Sequence, residues 1–485
     1  MRPTVEFLDQ FMIQRIISEA RTILIKLGID VQNVQARKLL VDEGAQIKNG
    51  RIFYTDAMID KSLDSALGQF DLYDIYGNKT HQFSEKEVYF TPGSAALNIL
   101  DNKSGDLRKP TTSDYIQYVK IVEQLEHIAS QSTAMIPGDI HEMISDSYRL
   151  FLSLLYGSKP VVTGTFTIES FDVMKDFQII IRGSERELKE KPLTIFSCCP
   201  SSPLKWSDVT AQNVLDCAKY GIPVEFIAMP LAGFLSPVTL SGTLIQHTAE
   251  TLSGLVISQL SNPGTPILYG GSPAIFDVRY ETTPMGAIET MMIDCAYNEI
   301  GKYLGLPTQA YISLSDSKAL DTQAGIESGI GAVLASLSGI NNISGPGMLD
   351  FESCFSLEKL VADNEICGMT KRLIKGIEPR DDFPSLTLFT ELLKEKHLLI
   401  SDHTMKYLES EHYFTGPTVN RANRSRWQEE GAKSFKERAA QQVIDLTSKY
   451  QSNSLSDEKR SELIKRMEKE AQSHGQKSLP PRVEG

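Results

Sequence analysis

Eight short apolar runs, each followed by a longer helical segment, dominate the middle of this sequence. They are rich in β-branched residues and recur about every 36 residues, a spacing typical of a strand–helix unit. Eight consecutive units favour a closed parallel barrel, and the Gly-rich phosphate loop that would support an open dinucleotide-binding sheet is absent after the first run. We therefore predict an α/β fold, a (β/α)8 barrel. The runs are VYFTPG (88–93), IASQSTAM (128–135), PVVTGTF (160–166), PLTIFSC (192–198), PVEFIAM (223–229), PILYGG (266–271), TQAYIS (308–313) and INNISG (340–345).

The segments on either side of the barrel pattern differ from it. Residues 1–87 start with apolar residues at helical spacing, ended by Gly28, and continue with short strand-like pieces, so we expect an N-terminal α+β elaboration. The barrel itself is predicted to span residues 88–376. Residues 377–485 are polar and helical in pattern, which indicates a C-terminal helical extension whose tail, 475–485, is expected to be disordered.

Composition excludes several classes of protein. The 485 residues carry a net charge of −13 with a pI near 5.3, which argues against broad binding to nucleic acid or anionic membranes. Six scattered cysteines are too few for a disulfide framework in a chain of this length. The first residues have no continuous apolar segment typical of a signal peptide, and no run is long enough to span a bilayer. A cytoplasmic protein is expected.

The predicted strands end in turn residues such as Pro92-Gly93-Ser94, Pro137-Gly138-Asp139 and Gly345-Pro346-Gly347. In a parallel barrel these loops form the carboxyl-end face, where active sites lie. Glycine and proline also punctuate ordinary turns, so a single loop of this kind does not locate a site.

The stretch between Cys199 and Pro273 and the segments after it contain a series of distinctive motifs. They are CPSSPL (199–204), AKYGIPVEFIAMPLAGF (218–234), PILYGGSP (266–273), PMGAIE (284–289), SDSKALDTQAGIES (315–328), SLEKLVADNEI (356–366) and VNRANRSRWQEEGAKS (419–434). Together these motifs resemble the trimethylamine methyltransferase family. The resemblance extends through nearly the whole chain, to about residue 435, and it is specific as a set although each motif alone is weak.

This resemblance implies a barrel enzyme that passes a methyl group from a methylated amine to cobalt(I) of a separate corrinoid protein, and it also implies a homo-oligomer. The founders of the family contain pyrrolysine, whereas this chain has 485 standard residues. It therefore resembles the branch that uses quaternary amines such as glycine betaine. The start of a cobalamin-binding motif, Asp139-Ile140-His141, lacks its glycine, since Ile144 stands in that position. The corrinoid is accordingly expected on the partner.

Methyl transfer from a quaternary amine is an in-line displacement in which no proton moves, so no general acid, base or nucleophile is required and no catalytic residue is predicted. The site must instead hold a cation with aromatic faces and carboxylates. Candidates for the aromatic cage are Phe166, Tyr269, Phe276, Tyr311 and Phe355. Polar candidates for the substrate site are Asp277, Asp316, Glu327, Gln323 and His247. Residues that would let a corrin ring or substrate approach the backbone are Gly270, Gly271, Ser272, Gly345 and Gly347.

Each candidate also has an ordinary structural interpretation. An aromatic residue at a strand end is commonly part of the core, and Asp316 could be an acid at a helix N-terminus. His247 lies inside a predicted helix, where a hydrogen-bonded interior histidine is the common case. Gly and Ser at strand ends could serve the turn alone.

Two other functions remain open from the sequence. The adjacent pair Cys198-Cys199 ends a predicted strand, as in barrel methyltransferases that bind zinc and activate a thiol. No third ligand is evident, because Cys217 and Cys295 fall within predicted helices, so no metal site is predicted. The other function is a barrel that binds a betaine without catalysis, because a fold alone does not establish an activity.

Overall fold

Eight parallel strands form the centre of the structure, a computed structural model that describes residues 2–101 and 104–481. Backbone pairing joins β1 to β8, β8 to β7, and β2 through β6 in sequence. Parallel bridges at Phe90–Ile128 and Tyr269–Thr308 connect the two groups, so the ring of strands is closed. The predicted barrel is confirmed. The strands are β1 (Tyr89–Thr91), β2 (Gln131–Ser132), β3 (Val161–Thr163), β4 (Thr194–Cys198), β5 (Val224–Ala228), β6 (Ile267–Gly271), β7 (Gln309–Tyr311) and β8 (Asn342–Ser344).

A helix follows each strand and packs outside the ring. Most of these helices begin at a side-chain cap; Thr111, for example, forms a reciprocal capping box with Asp114. The longest of them, α5, is buried along most of its length because N-terminal helices cover its outer face. The helices are α1 (Thr112–Val122), α2 (Ser145–Tyr156), α3 (Ser170–Arg182), α4 (Asp208–Tyr220), α5 (Leu240–Ser261), α6 (Ile288–Tyr303), α7 (Thr322–Ser338) and α8 (Leu357–Lys375).

The N-terminal region covers the side of the barrel and closes its amino end. The first helix is amphipathic, and its buried face packs on α5, as the apolar spacing predicts. A hairpin formed by Phe70–Tyr73 and Lys79–Phe83 inserts Phe70 and Phe83 against the lower interior of the ring. The elements of this region are helices Gln10–Lys26, Val34–Asp42 and Asp56–Ser65 and strands Asp30–Val31, Gln46–Lys48, Arg51–Phe53, Phe70–Tyr73 and Lys79–Phe83.

Short strands and turns elaborate the opposite, carboxyl end of the barrel, which we call the mouth. They link the loops after β1, β5, β6 and β8 into two small sheets and so hold these loops in fixed positions. The strands of these two sheets are Asn98–Leu100, Leu107–Arg108, Leu231–Ala232, Ala274–Ile275, Met348–Leu349 and Cys354–Phe355. The loop after β4 adds Lys205–Trp206, which pairs with the N-terminal strand Asp30–Val31, and the loop after β2 adds the short helix Glu142–Ile144. A second short helix, Glu185–Glu190, connects α3 to β4 at the amino end.

The first part of the C-terminal region extends away from the barrel, and its last two helices pack against the barrel again. Three helices beyond α8 bury none of their residues, whereas the last two pack on α1, α2, α3 and α8 through Val443, Leu463 and Met467. Leu479 also packs on the core, although the tail was expected to be disordered; residues 482–485 of that prediction lie outside the described residues. The helices are Leu386–Glu395, Asp402–Glu411, Arg424–Glu429, Phe435–Lys449 and Asp457–Ser473.

Among the residues described, no helix combines the length and the apolar character that crossing a membrane requires.

Candidate active site

The interior of the barrel changes from apolar to polar between its amino end and its mouth. Val162, Ile195 and Leu268 form an apolar floor with the phenylalanines of the hairpin below. Glu225 on β5 is the register partner of Leu268 and begins the polar layer. Its carboxylate accepts hydrogen bonds from Ser197 Oγ at 2.7 Å and from Asn342 Nδ2 at 3.2 Å. Because β5 and β8 are not neighbours, the bond to Asn342 crosses the interior, so Glu225 points into the lumen.

Burial makes ionisation of Glu225 unfavourable. The side chain has no measurable exposure, and desolvation raises the pKa of its carboxyl to about 7, against the opposing effect of its two hydrogen bonds. A carboxyl of this kind changes its charge near neutral pH. It will ionise readily when a cation enters the lumen, since an adjacent positive charge favours the charged form.

Tyr311 stands above Glu225 at the end of β7. Its ring is buried, and a 3.0 Å hydrogen bond joins its hydroxyl to Ser94 Oγ in the loop after β1. Burial raises the pKa of the Tyr311 hydroxyl well above its usual value, and the charges of Glu225 and Glu352 add to the shift. The tyrosine therefore stays neutral and lies within the electrostatic reach of both acids.

Glu352 reaches the lumen from an unusual loop. Asp350, Phe351 and Glu352 all have positive φ, between 50° and 65°, and none is glycine. Each left-handed residue of this kind costs roughly 1–2 kcal/mol, and such strain is concentrated at functional sites. The result is that Glu352 Oε1 is buried and accepts no hydrogen bond from any described residue. Burial, and then the negative charge of Asp316, raises the pKa of Glu352 to about 8.

Asp316 and Glu327 form a second acidic group between β7 and α7. Asp316 accepts hydrogen bonds from the backbone N–H groups of Met285 and Gly286, at 2.9 and 2.8 Å. Burial raises the pKa of Asp316 to about 6 despite these bonds, and the charge of Glu327 contributes to the rise. Glu327 in turn accepts from the Asp316 backbone at 2.8 Å and from Gln323 at 2.9 Å. These bonds fix the loop after β7 against the loop after β6.

An open cavity of about 780 Å³ lies above this acidic group at the mouth. The ring of Phe351 forms one wall, and the ammonium group of Lys318 sits 3.9 Å from the ring centroid. The face of the Phe351 ring is thus already occupied by a cation, the ammonium group of Lys318. Tyr280 lies on another wall and is largely exposed. Acidic side chains outnumber basic ones in the lining: Asp277, Glu289, Asp316 and Glu327 against Arg279 and Lys318.

Five of the residues predicted from the sequence face the lumen or line this cavity. Tyr311 faces the lumen, and Asp316, Gln323, Glu327 and Asp277 line the cavity. Asp277 is bound to Arg279 at 2.6 Å, and this hydrogen bond lowers the pKa of its carboxyl to about 2. Its charge is therefore already paired, unlike that of Glu352.

Two aromatic residues predicted for the cage point elsewhere. Tyr269 lies between the strands and the helices, where its hydroxyl bonds Thr248 on α5 at 3.0 Å. The prediction failed because side chains alternate along β6, so that Leu268 faces inward and Tyr269 outward. Phe355 is wholly buried against Tyr118, with ring centroids 5.3 Å apart, and belongs to the core.

The other two predicted aromatics lie on the rim of the mouth. Phe166 is 49% exposed and covers the guanidinium of the buried Arg149, 4.7 Å from the ring centroid. Phe276 stacks on Phe234 with centroids 4.8 Å apart. Both positions are at the surface of the mouth, above the acidic lumen.

His247 has the ordinary structural role. It is wholly buried, stacks on Tyr297 at 4.2 Å, and lies 3.1 Å from the carbonyl oxygen of Gly270. Burial lowers the pKa of the ring to about 3, so it is neutral at physiological pH. It fills the space beside Gly271 and does not line the mouth cavity.

The glycines predicted to admit a corrin ring are accounted for by internal packing. A Cβ at Gly271 would lie 2.3 Å from His247 Nε2, and one at Gly270 would lie 2.4 Å from Gln309 Oε1. The corresponding neighbours of Gly345 and Gly347 are the Ile312 carbonyl oxygen and the Phe355 ring. Ser272 is buried, and its backbone continues the pairing with β5 through a 3.0 Å bond. The protein itself therefore requires small residues here.

The two adjacent cysteines do not act together. The Cys198 thiol is outside the ring of strands, 3.3 Å from Asn213 Nδ2 on α4. The ionisation of Cys199, in contrast, is opposed by the charges of Glu225 and Glu352, which indicates that it faces the lumen. Burial raises the pKa of Cys199 to about 12 and that of Cys198 well above its usual value, so both stay protonated. The two thiols therefore point to opposite sides of the strand.

Comparison with known proteins places this arrangement in a family. The sequence profile described as "Trimethylamine methyltransferase (MTTB)" matches residues 1–475. The chain belongs to the trimethylamine methyltransferase family. The resemblance seen in the sequence is thereby confirmed, and the mouth of the barrel is the site to compare among trimethylamine methyltransferase family members.

Relatives within the trimethylamine methyltransferase family differ in their named substrates. The chain is 32% identical over 366 residues to Trimethylamine methyltransferase MttB of Methanosarcina barkeri, covering 73% of each protein. It is 27% identical to Glycine betaine methyltransferase of Desulfitobacterium hafniense, covering 88% of this chain and 89% of that protein. Among solved structures, Methanosarcina barkeri Monomethylamine Methyltransferase (MtmB) matches with a TM-score of 0.53 and 12% identity, covering 91% and 88% of the two chains. This last similarity supports the barrel fold alone.

Sequence reasoning missed the two acids in the lumen. Glu225 had a visible signal, because it is the one charged residue inside the otherwise apolar run PVEFIAM. A charge in a barrel strand must either be paired or face a polar interior. Glu352 had no signal of this kind, since its direction depends on three consecutive left-handed residues that the sequence does not mark.

Proposed function

We propose that this chain transfers a methyl group from a quaternary amine to cobalt(I) of a corrinoid held by a separate protein. Glu352 carries the proposal: its buried Oε1 atom has no hydrogen-bond partner among the described residues, and it lies near Tyr311 and Asp316 in a lumen rich in acids. A buried carboxylate oxygen without a partner suits a ligand that supplies a positive charge. Membership in a methyltransferase family that includes a glycine betaine enzyme supports the same class of substrate.

The proposed reaction needs positioning and charge more than acid–base chemistry. Cobalt(I) donates an electron pair to the methyl carbon, the carbon–nitrogen bond breaks, and the nitrogen keeps its pair as a neutral tertiary amine. No proton moves in this reaction, so the acids of the lumen need no neighbouring base or nucleophile. Glu352 and Glu225 would hold the ammonium group, and Tyr311 would present an aromatic group beside it. The apolar floor would limit how deep the methyl groups descend.

The rim of the mouth suits a protein that docks and leaves. Several large apolar side chains around it are 49% to 74% exposed although the loops that carry them are otherwise well packed. Apolar rims of this kind mark interaction surfaces. A docked corrinoid protein would cover the cavity and exclude water from the transfer. The rim residues are Leu97, Phe166, Phe234, Val238, Val278 and Tyr280.

The standard amino acids of the chain support a quaternary amine as the substrate. Without pyrrolysine, activation of a tertiary amine has no obvious route, whereas a quaternary amine carries its own leaving group. Glycine betaine is the first candidate, and its carboxylate would be directed toward Lys318 and away from the acids of the lumen. Lys318 lies 3.4 Å from Asp350 and over Phe351, at the entrance of the cavity.

Anaerobic mixing of the protein with reduced cobalamin and a panel of methylated amines tests the proposal. The change in absorbance from cobalt(I) to methylcobalt(III) reports transfer directly. We expect turnover with a quaternary amine and none with trimethylamine. Glu352→Gln should reduce transfer strongly, while Asp277→Asn, which removes an acid already paired with Arg279, should reduce it little.

The other outcomes separate the alternatives. Transfer from trimethylamine alone would contradict the quaternary substrate. Tight binding of a betaine in calorimetry, with no transfer to either free cobalamin or the cognate corrinoid protein, would favour a non-catalytic barrel. Stoichiometric zinc in the purified protein, lost in Cys199→Ser, would favour the thiol-activating alternative and contradict the proposed role of Glu352.

A further inference from the structure

The segment between α8 and the last helices exposes an unusually large apolar surface. We call residues 377–415 the arm; it contains the helices Leu386–Glu395 and Asp402–Glu411. Neither helix buries a single residue. Leu386, Phe389 and Leu393 follow an i, i+3, i+7 spacing and are 77%, 56% and 72% exposed. This spacing forms one continuous apolar stripe, the pattern by which a helix docks on another surface.

The apolar surface extends beyond this stripe into the second half of the arm. Seven of the arm's large side chains, each more than half exposed, together present on the order of 1,000 Å² of apolar surface. The largest apolar patch on a typical monomer is smaller, whereas a stable protein interface buries roughly 800 Å² on each partner. The seven are Phe383, Leu386, Phe389, Leu393, Leu399, Ile400 and Met405.

The arm lies at the end of the barrel opposite the mouth. The helices of a (β/α)8 barrel run antiparallel to its strands, so α8 begins near the mouth and ends at the amino end of the ring. The contacts of the arm agree. Tyr413 bonds His127 Nε2 at 2.9 Å, and His127 directly precedes the run that contains β2. Glu411 pairs with Arg372, in the last turn of α8, at 3.3 Å. A partner that must present a corrinoid at the mouth cannot cover this surface at the same time.

The arm also needs a permanent partner. Isolated helices of about ten residues are marginal in water, and most helix stability in proteins comes from packing an apolar face. Polar contacts of Glu411 and Tyr413 attach the arm to the barrel near the arm's C-terminal end. Three further ion pairs join residues within the arm and leave the stripe uncovered: Arg380 with Glu411 at 2.8 Å, Lys406 with Asp381 at 2.5 Å and His403 with Asp382 at 3.3 Å. A partner that visits once in each catalytic cycle would leave the stripe in water for much of the time.

We infer that the arm is the interface through which two copies of this chain associate, with the stripe of one copy packed against the arm of the other. A second copy is always present at the concentration of the protein itself and stays bound through turnover. A two-fold axis brings the same surface of both copies together and closes the assembly without leaving a free edge. The mouths of both copies stay open, because the arms lie at the opposite end.

Sedimentation equilibrium of the full chain at micromolar concentration tests this interface. We expect a dimer, or a larger assembly with an even number of subunits. Leu386→Glu/Leu393→Glu should halve the mass, since two charges per copy would be buried in the stripe. The matched control is Val34→Glu, which charges a residue that is 76% exposed on an N-terminal helix; it should leave the mass unchanged.

Hydrogen exchange across residues 386–411 gives a second measurement that does not depend on activity. We expect protection of these amides in the wild type and its loss in Leu386→Glu/Leu393→Glu, while the barrel strands stay protected in both. A wild-type monomer, or an assembly that survives the double substitution, would overturn the inference. So would protection of the arm only after a corrinoid protein is added. Because α1 to α8 do not depend on the arm for their cores, thermal unfolding should show that the variant barrel remains folded.

Discussion

Replacing Glu352 with glutamine should remove most of the pH dependence of substrate binding. The pKa of Glu352 is raised to about 8 by burial and by Asp316, so the carboxyl is largely protonated at pH 6. A quaternary ammonium ion binds the ionised form, because only that form supplies a negative charge. At pH 6 about 1% of this carboxyl is ionised, so the apparent affinity should be about 100-fold weaker than its plateau above pH 9. Affinity therefore rises with pH.

Titration calorimetry with a quaternary amine between pH 6 and pH 9 measures this dependence. Below pH 7 the wild type should release about one proton per substrate bound, which appears as a dependence of the heat on the ionisation enthalpy of the buffer. In Glu352→Gln both the slope and the proton release should largely vanish, leaving a smaller dependence from Glu225, whose pKa is about 7. Binding that weakens as pH rises would refute the reasoning.

Two controls separate binding from damage to the fold. Asp277→Asn removes an acid whose pKa is about 2, so it is ionised throughout this range and the slope should not change. Stability gives the second control. Because the pKa of Glu352 is raised in the folded protein, the stability of the wild type falls as pH rises from the ordinary carboxyl pKa through the raised one. Glu352→Gln should therefore unfold near the wild-type temperature at pH 4, where the carboxyl is largely protonated in both states, and at a higher temperature than the wild type at pH 9.

Two further predictions concern packing. Gly271→Ala should lower the free energy of unfolding by about 1–3 kcal/mol, because its Cβ would lie 2.3 Å from the buried ring of His247. Gly329→Ala on α7 meets nothing within 4 Å and should raise the free energy of unfolding by about 0.5–1 kcal/mol. Equal effects of the two substitutions in urea titrations would contradict this account. Lys359 and Asp363 form a buried ion pair at 2.6 Å with almost no exposure. Lys359→Met should cost about 3–5 kcal/mol by leaving a buried charge unpaired, and Lys359→Met/Asp363→Asn should recover most of that loss in the same assay.

The fold was predictable because a (β/α)8 barrel produces a regular pattern of apolar runs and helical segments in the sequence. Each strand is a short apolar run, and each run is separated from the next by enough residues for one helix, so all eight strands were placed from β1 to β8. Such a pattern depends only on burial and chain length. The helical character of the C-terminal extension was likewise predicted, although nothing in the sequence reveals that the apolar face of Leu386–Glu395 is exposed in a single copy.

The site was harder to predict because it depends on side-chain direction. Tyr269 and Gly270 are adjacent, yet one faces the helices and the other faces inward, so an error of one residue in alternation moves a candidate out of the lumen. His247 and Phe355 were chosen for their chemistry, but burial decides their role. Asp316 and Tyr311 were found because they directly end β7 or follow it.

The hairpin that fills the amino end of the barrel blocks access to the lumen from that side. Phe70 and Phe83 pack against Leu268 and close the floor, so a small molecule enters and leaves through the mouth. On the proposed function, the amine must arrive before the corrinoid protein docks, and the demethylated amine can depart only after that protein has gone. The order of events is thus imposed by a blocked exit rather than by a moving lid. Demethylated amine should accordingly inhibit without competing with the corrinoid protein for its rim.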